Sequence, residues 1–392
     1  MVDTNTSTIA RGISSLNNMG NTCYMNSTLQ ALSNTNIFCY YMRKTMFKEK
    51  LKNGIMQNII KKLKSNPDIK EHNKISKKKF KYKFKSSITY RLYQVLKIMW
   101  SVNCELTPEK FKSSVDTIMP KFKGFNQHDA QEFLIFLLDQ IHEETKSDIT
   151  IKKLKLNTQT IDYLEQKEKL IKEDKKEELK ELISNNYLID VQYEGIKFHE
   201  KFLKNNHSII TDLFYGIFMN VLECMNCKNK SITYEAFNIL QLELLMTNQI
   251  DLNELLKHYF KSEEVEYKCS ICSHEKSIKN ITIHTLPEKL IIQLKRFISN
   301  GRQTGKHNGF VNFPFEKLQM SEIIKSELVT YNLYSVINHM GGTGGGHYTN
   351  YSKNSMDNNW YEFNDSNMNL INNTNIIVDS SAYVLLYEKL RV

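Results

Sequence analysis

The sequence predicts an α+β fold in which helices come first and strands follow. Two patterns carry this. Between Cys23 and Ile141 apolar residues recur at helical spacing, as in Met25, Leu29 and Leu32 and again in Leu92, Val95, Leu96 and Met99. Residues at i, i+3, i+4 and i+7 share one buried helix face. From Asp212 onward the chain turns β-rich, with strands expected in Phe214 to Leu222, Ile232 to Leu244, Leu290 to Phe297, Tyr331 to Asn338 and Ala382 to Glu388. Helices and strands segregated in this way suit an α+β domain.

In chain order, Met1 to Ala10 is a polar tail without the apolar core of a signal peptide. The stretch Gly12 to Leu32 then runs from a turn-forming loop, Asn17 to Thr22 with Gly20 in it, straight into a helix at Cys23. A thiol at a helix N-terminus meets free N–H groups and the positive end of the dipole. With a cationic partner, such a position is expected to lower the thiol pKa from about 8.5 to between ~3.5 and ~7.5. The same N–H groups, with the side chain of Asn18, are candidates for holding an oxyanion.

Lys44 to Lys85, with Ser76 to Lys81 at its most basic, reads as an exposed insertion. Thr107-Pro108 predicts a helix start, with Thr107 as N-cap and Pro108 first inside. Gly124 to Phe133 opens a second apolar helix whose inner side is Leu134, Leu137, Leu138 and Ile141. Asn126 is the expected N-cap there, with Asp129 favourably near the dipole. Lys146 to Asp190 is dominated by Lys and Glu and predicts a charged helix or helical hairpin on the surface.

Two CxxC pairs, Cys224/Cys227 and Cys269/Cys272, bracket β-rich sequence, with 41 residues from Lys228 to Lys268 between them. That pattern predicts a four-thiolate structural zinc site, closed to water and therefore without catalytic chemistry. Near the C-terminus five glycines fall within Gly341 to Gly346, just before His347. No Lys-Ser/Thr and no helix pattern follows, so this is not a phosphate loop; backbone without side chains instead allows close approach of a peptide. Cysteine catalysis needs a thiol, a histidine to deprotonate it, and a group that orients the histidine. Cys23, His347 and either Asn364 or Asp365 supply these types.

GNTCYMNSTLQAL around Cys23 closely resembles the cysteine box of the ubiquitin-specific proteases, and GGGHYTNYSKN with WYEFNDSN resembles that family's histidine box. The resemblance runs from about Arg11 to Leu390. It implies a papain-like fold with thumb, palm and zinc-bearing fingers, and a single catalytic domain over residues 11–392. Within it, 11–145 would be the thumb with the Lys-rich insertion at 44–85, 146–190 the charged insertion, 212–285 the fingers and 286–390 the palm. It further implies a deubiquitinase that cleaves after the C-terminal glycine of ubiquitin, with ubiquitinated proteins or polyubiquitin chains as partners. Asn364 matches the family's histidine-orienting position and neighbouring Asp365 is able to share the role. Gln127 and Asp129 match a segment that lines the channel for ubiquitin's tail, and Tyr348 joins them as a substrate-binding candidate. A catalytically silent ubiquitin-binding scaffold and a deconjugase of another ubiquitin-like modifier are the alternatives.

Composition narrows the classes. Hydrophobic residues make up 41% of 392, enough for a large core. No apolar run approaches the ~20 residues of a membrane span, so membrane insertion is not expected. The net charge of +10 lies largely in Lys-rich segments outside the motifs, which argues against a nucleic-acid partner. Seven cysteines, an odd number with four in CxxC pairs, point to a reducing compartment, cytoplasm or nucleus.

Overall fold

The computed structural model describes residues 10–64, 77–151, 155–247, 249–299, 304–323 and 328–390. Residues 1–9 of the expected tail and residues 65–76 of the Lys-rich stretch lie outside these.

Helices occupy the first half, and two of them form its centre. Cys23–Ser33 is buried along its whole length, and Ala130–Thr145 buries Phe133, Leu134, Leu137, Leu138 and Ile141. Together they share one apolar cluster with Ile337, Tyr348, Val384 and Leu386 of the strands, so helices and sheet bury a common core. The N-cap of the second helix is Asp129, whose Oδ1 accepts from Glu132 N at 3.0 Å, and not the expected Asn126. The chain around Asn126 is still loop, so the first turn starts three residues later. Similarly, the Glu109–Ile118 helix takes Pro108 rather than Thr107 as its cap.

The Lys-rich stretch is more than an exposed insertion. Helix Thr45–Lys64 buries Phe47, Leu51, Ile55 and Ile59, and helix Lys77–Lys85 sets Phe84 against Tyr90 at 4.6 Å. Its apolar residues fall at i, i+4, i+8 and i+12, a core stripe that abundant lysine hides in a composition-based reading. The second charged region is a hairpin of helices Thr158–Lys172 and Lys176–Asn185 turning at Asp174, which has φ +52°. Its one buried side chain, Tyr163, donates to Asp190 at the start of helix Tyr187–Asn206.

An eight-stranded sheet forms the second half. Its main order is Asn367–Ile371, Trp360–Asn364, Gly345–Lys353, Leu328–Gly342, Ala382–Lys389, Lys289–Lys295 and Leu240–Glu243, with Leu318–Ser321 also paired to Leu328–Gly342. Ala382–Lys389 therefore sits inside the sheet, and its fully apolar stretch Val384–Leu386 fits two covered faces. A separate four-stranded sheet projects the cysteines, in the order Lys230–Phe237, Gly216–Cys224, Lys276–Thr285 and Glu263–Glu266. Among the described residues no helix is long and apolar enough to cross a membrane.

Candidate active site

Cys23 is the first residue of its helix and only 3% exposed. The backbone N–H of Tyr348 reaches its sulfur across the helix–sheet junction, as do those of Tyr24 and Cys23 itself. Burial nevertheless pushes the thiol above its ordinary range, and the nearby Asp365 carboxylate adds to that rise. The lowered thiol expected from the helix N-terminus is thus not what the fold produces. Desolvation of the charged form outweighs the three N–H donors.

His347 stands on strand Gly345–Lys353, and its Nε2 lies 2.7 Å from Asn364 Oδ1 on the neighbouring strand. Antiparallel pairing of Asn350 with Phe363 sets that meeting. With Nε2–H donated to Asn364, Nδ1 is the nitrogen available to accept a proton.

Asp365 turns elsewhere. At φ +50° its carboxylate accepts from Asn18 Nδ2 at 2.9 Å and Asn26 Nδ2 at 2.8 Å, while its carbonyl accepts from Leu16 N at 3.0 Å. No hydrogen bond joins Asp365 to His347 among the described residues, so the two candidate orienters separate: Asn364 meets the histidine and Asp365 meets Asn18. Asn18 is held on its other side as well, its Oδ1 accepting from Gly20 N and Thr22 N, both at 3.0 Å. One amide hydrogen of its Nδ2 remains beyond the bond to Asp365. Asn26 was not singled out in the sequence; one helical turn past Cys23, it gains meaning only through a residue 339 positions away.

Beside this cluster opens a cleft of about 270 Å³, lined by Gln127, His128, Asp129, Phe297, His339, the Gly342–Gly346 turn and Tyr348. Gln127 Oε1 accepts from Gly346 N at 2.6 Å and spans the cleft mouth. Asp129, besides capping its helix, accepts from Tyr383 Oη at 2.6 Å and from the Tyr348 hydroxyl. Tyr348 itself is 6% exposed, so its backbone rather than its ring faces Cys23. Below the glycines lies buried His339, which burial, helped by Lys306, Arg296 and His347, pushes down to about 4. A Cβ on Gly346 would meet His339 Nε2 at 2.2 Å and Met340 O at 2.4 Å, which is why this position needs glycine. His128 packs edge-on against Tyr24 and Phe122, a core role rather than a catalytic one.

At the far end of the four-stranded sheet the four cysteines converge, with all Sγ atoms within 4.8 Å of one another. Cys224–Cys272 and Cys227–Cys269 are each 3.6 Å apart. That exceeds the ~2.05 Å of a disulfide and is close to the ~3.8 Å edge of a tetrahedron of sulfurs ~2.3 Å from one zinc. Lys228 and Ser273, at φ +58° and +59°, turn the two knuckles. Backbone N–H groups aim at the sulfurs, Ile271 N to Cys269 Sγ at 3.4 Å, and that of His274 foremost in pushing Cys272 down to about 6. The cluster is able to hold a metal ion.

The family profile described as ubiquitin carboxyl-terminal hydrolase matches residues 14–387. Ubiquitin carboxyl-terminal hydrolase 2 of Bos taurus is 30% identical over 397 residues, covering 98% of this chain and 56% of the bovine protein. The probable ubiquitin carboxyl-terminal hydrolase of Acanthamoeba polyphaga mimivirus is 29% identical, covering 96% of this chain and 90% of its own length. A solved chain of the SAGA Ubp8/Sgf11/Sus1/Sgf73 DUB module bound to ubiquitin aldehyde shares the fold, with a TM-score of 0.63 at 23% identity, over 98% of this chain and 70% of that one. The chain thus spans little more than half of the bovine relative. With the match running through the Cys23 helix, the cysteine knuckles and the His347 strand, this chain belongs to the ubiquitin carboxyl-terminal hydrolase family.

Proposed function

We propose that this chain is a deubiquitinating thiol protease, hydrolysing the isopeptide or peptide bond after the C-terminal glycine of ubiquitin. The observation that carries the reading is the bond between His347 and Asn364, with the N–H of neighbouring Tyr348 reaching the Cys23 sulfur and Asp365 bonded to Asn18. In this reading the glycine tail enters the cleft beside Gln127, Asp129 and the glycine turn, where the positions a Cβ would take on Gly342 and Gly344 are open space. His347 Nδ1 accepts the Cys23 proton as sulfur attacks the glycine carbonyl. The negative oxygen is held by the second amide hydrogen of Asn18 and the Cys23 N–H. Asn364 keeps His347 in the tautomer that accepts on Nδ1, and His347 then protonates the departing amine. Water, activated by the same histidine, releases the acyl group from Cys23.

Cys224, Cys227, Cys269 and Cys272 would hold a structural zinc ion, which supplies a cross-link at the tip of the fingers and no chemistry at Cys23. Free thiols and a thiolate metal site suit a reducing intracellular compartment. The test is initial-rate hydrolysis of a fluorogenic C-terminal amide of ubiquitin. The wild type is expected to turn it over, and Cys23→Ala to lose roughly 10⁴-fold or more. A folded, metal-loaded wild type without activity would overturn the reading.

A further inference from the structure

The cleft accounts for the acyl half of the proposed substrate, but nothing described so far holds the leaving amine. Outside the cleft, against the turn that carries Asn18, stands Phe125, 73% exposed. Single exposed apolar side chains are ordinary on protein surfaces. What distinguishes this one is how firmly it is held and what it touches. Lys112, itself buried, donates to the carbonyls of Phe122 and Gly124, both at 3.1 Å. Gly124, at φ +88°, reverses the chain, and Asn21 Nδ2 donates to Phe125 O at 2.7 Å. The ring rests on Gly20, where a Cβ would come within 2.8 Å of it. Gly20 N and Thr22 N are the donors that fix Asn18, and Cys23 is the next residue. An exposed aromatic is therefore presented, backbone clamped, against the turn that carries Asn18 and precedes Cys23. A surface prepared in this way loses little freedom on binding.

We propose that Phe125, seated on Gly20, is the leaving-group subsite and takes the aliphatic stem of the acceptor lysine with the peptide flanking it. This rests on the deubiquitinase reading. In an isopeptide the lysine nitrogen is a neutral amide and its four methylenes are apolar, so an aromatic face outside the tail cleft matches it.

The test compares kcat/KM for two substrates of the full chain: ubiquitin joined by an isopeptide bond to a lysine-containing peptide, and ubiquitin methyl ester, whose leaving group is methanol. The ratio of isopeptide to ester is expected to fall roughly tenfold in Phe125→Ala, the order expected for partial burial of one aromatic ring. Phe125→Tyr keeps the ring and is expected to hold the ratio within about twofold of wild type. Equal losses on both substrates would leave the ratio unchanged, make the ring a buttress of the Gly20 turn, and overturn the subsite. An unaltered Phe125→Ala enzyme would overturn it as well. A wild type inactive on both substrates overturns the deubiquitinase reading itself, a result distinct from either.

Discussion

The chain uses cysteine in two opposite ways. At the cleft a single thiol is buried at the start of a helix, its charged form disfavoured by desolvation, with the backbone N–H of Tyr348 reaching its sulfur. At the far end of the second sheet four thiols are gathered on turns near the surface, with backbone N–H groups aimed at their sulfurs. The first setting disfavours a thiolate by burial; the second gathers four sulfurs, two of them with backbone N–H groups lowering their pKa, at a spacing that suits a shared metal ion. What separates them is therefore the solvation of the sulfur and the number of partners it has. Proximity to a helix N-terminus, on which the sequence reading relied, is the weaker influence.

The comparison breaks most visibly if the two settings depend on each other. Replacing Cys227 and Cys272 together by serine is expected to reduce bound zinc from about one ion per chain to none. Alkylation of Cys23 should continue in that variant; metal analysis and peptide mapping read both, and loss of Cys23 reactivity would show the settings to be coupled. Next in size is the cleft alone. Asn364→Ala removes the acceptor that holds His347 and should lower kcat roughly 10²-fold without changing metal content. Asn364→Asp, which keeps an acceptor oxygen, should recover most of that loss; equal damage by both variants would deny the orienting bond its role.

The smallest effect sharpens the electrostatics under the glycine turn. Buried His339 titrates near 4 in the fold against about 6.5 in the unfolded chain. The unfolded chain takes up that proton first, so this stability is complete above about pH 6.5 and is lost as pH falls toward 4. Denaturant melts across this range should show the slope in wild type and a flatter curve in His339→Phe, whose ring keeps the packing against Phe297 and Tyr348.

Much of the site was legible because its parts are marked locally. Cys23 follows a glycine-bearing turn and opens an apolar helix, His347 follows the glycines, and the CxxC knuckles announce four convergent thiols. What escaped the sequence is what only tertiary contact decides. Asn364 and Asp365 are adjacent and chemically similar, yet alternate strand geometry and a positive φ send one to His347 and the other to Asn18 and Asn26. Asp129 rather than Asn126 caps its helix, and its carboxylate also accepts from Tyr383, 254 residues away. The core stripe of Thr45–Lys64 was masked by the lysines between its apolar residues.

The central claim is that Cys23, alone among the seven cysteines, is the nucleophile for a ubiquitin C-terminus. Ubiquitin ending in an alkyne electrophile, incubated with the zinc-loaded chain and mapped by peptide mass spectrometry, tests it directly. The account predicts one adduct, on Cys23, which disappears in Cys23→Ala. An adduct on Cys224, Cys227, Cys269 or Cys272 instead, or none on a folded wild type, would contradict it.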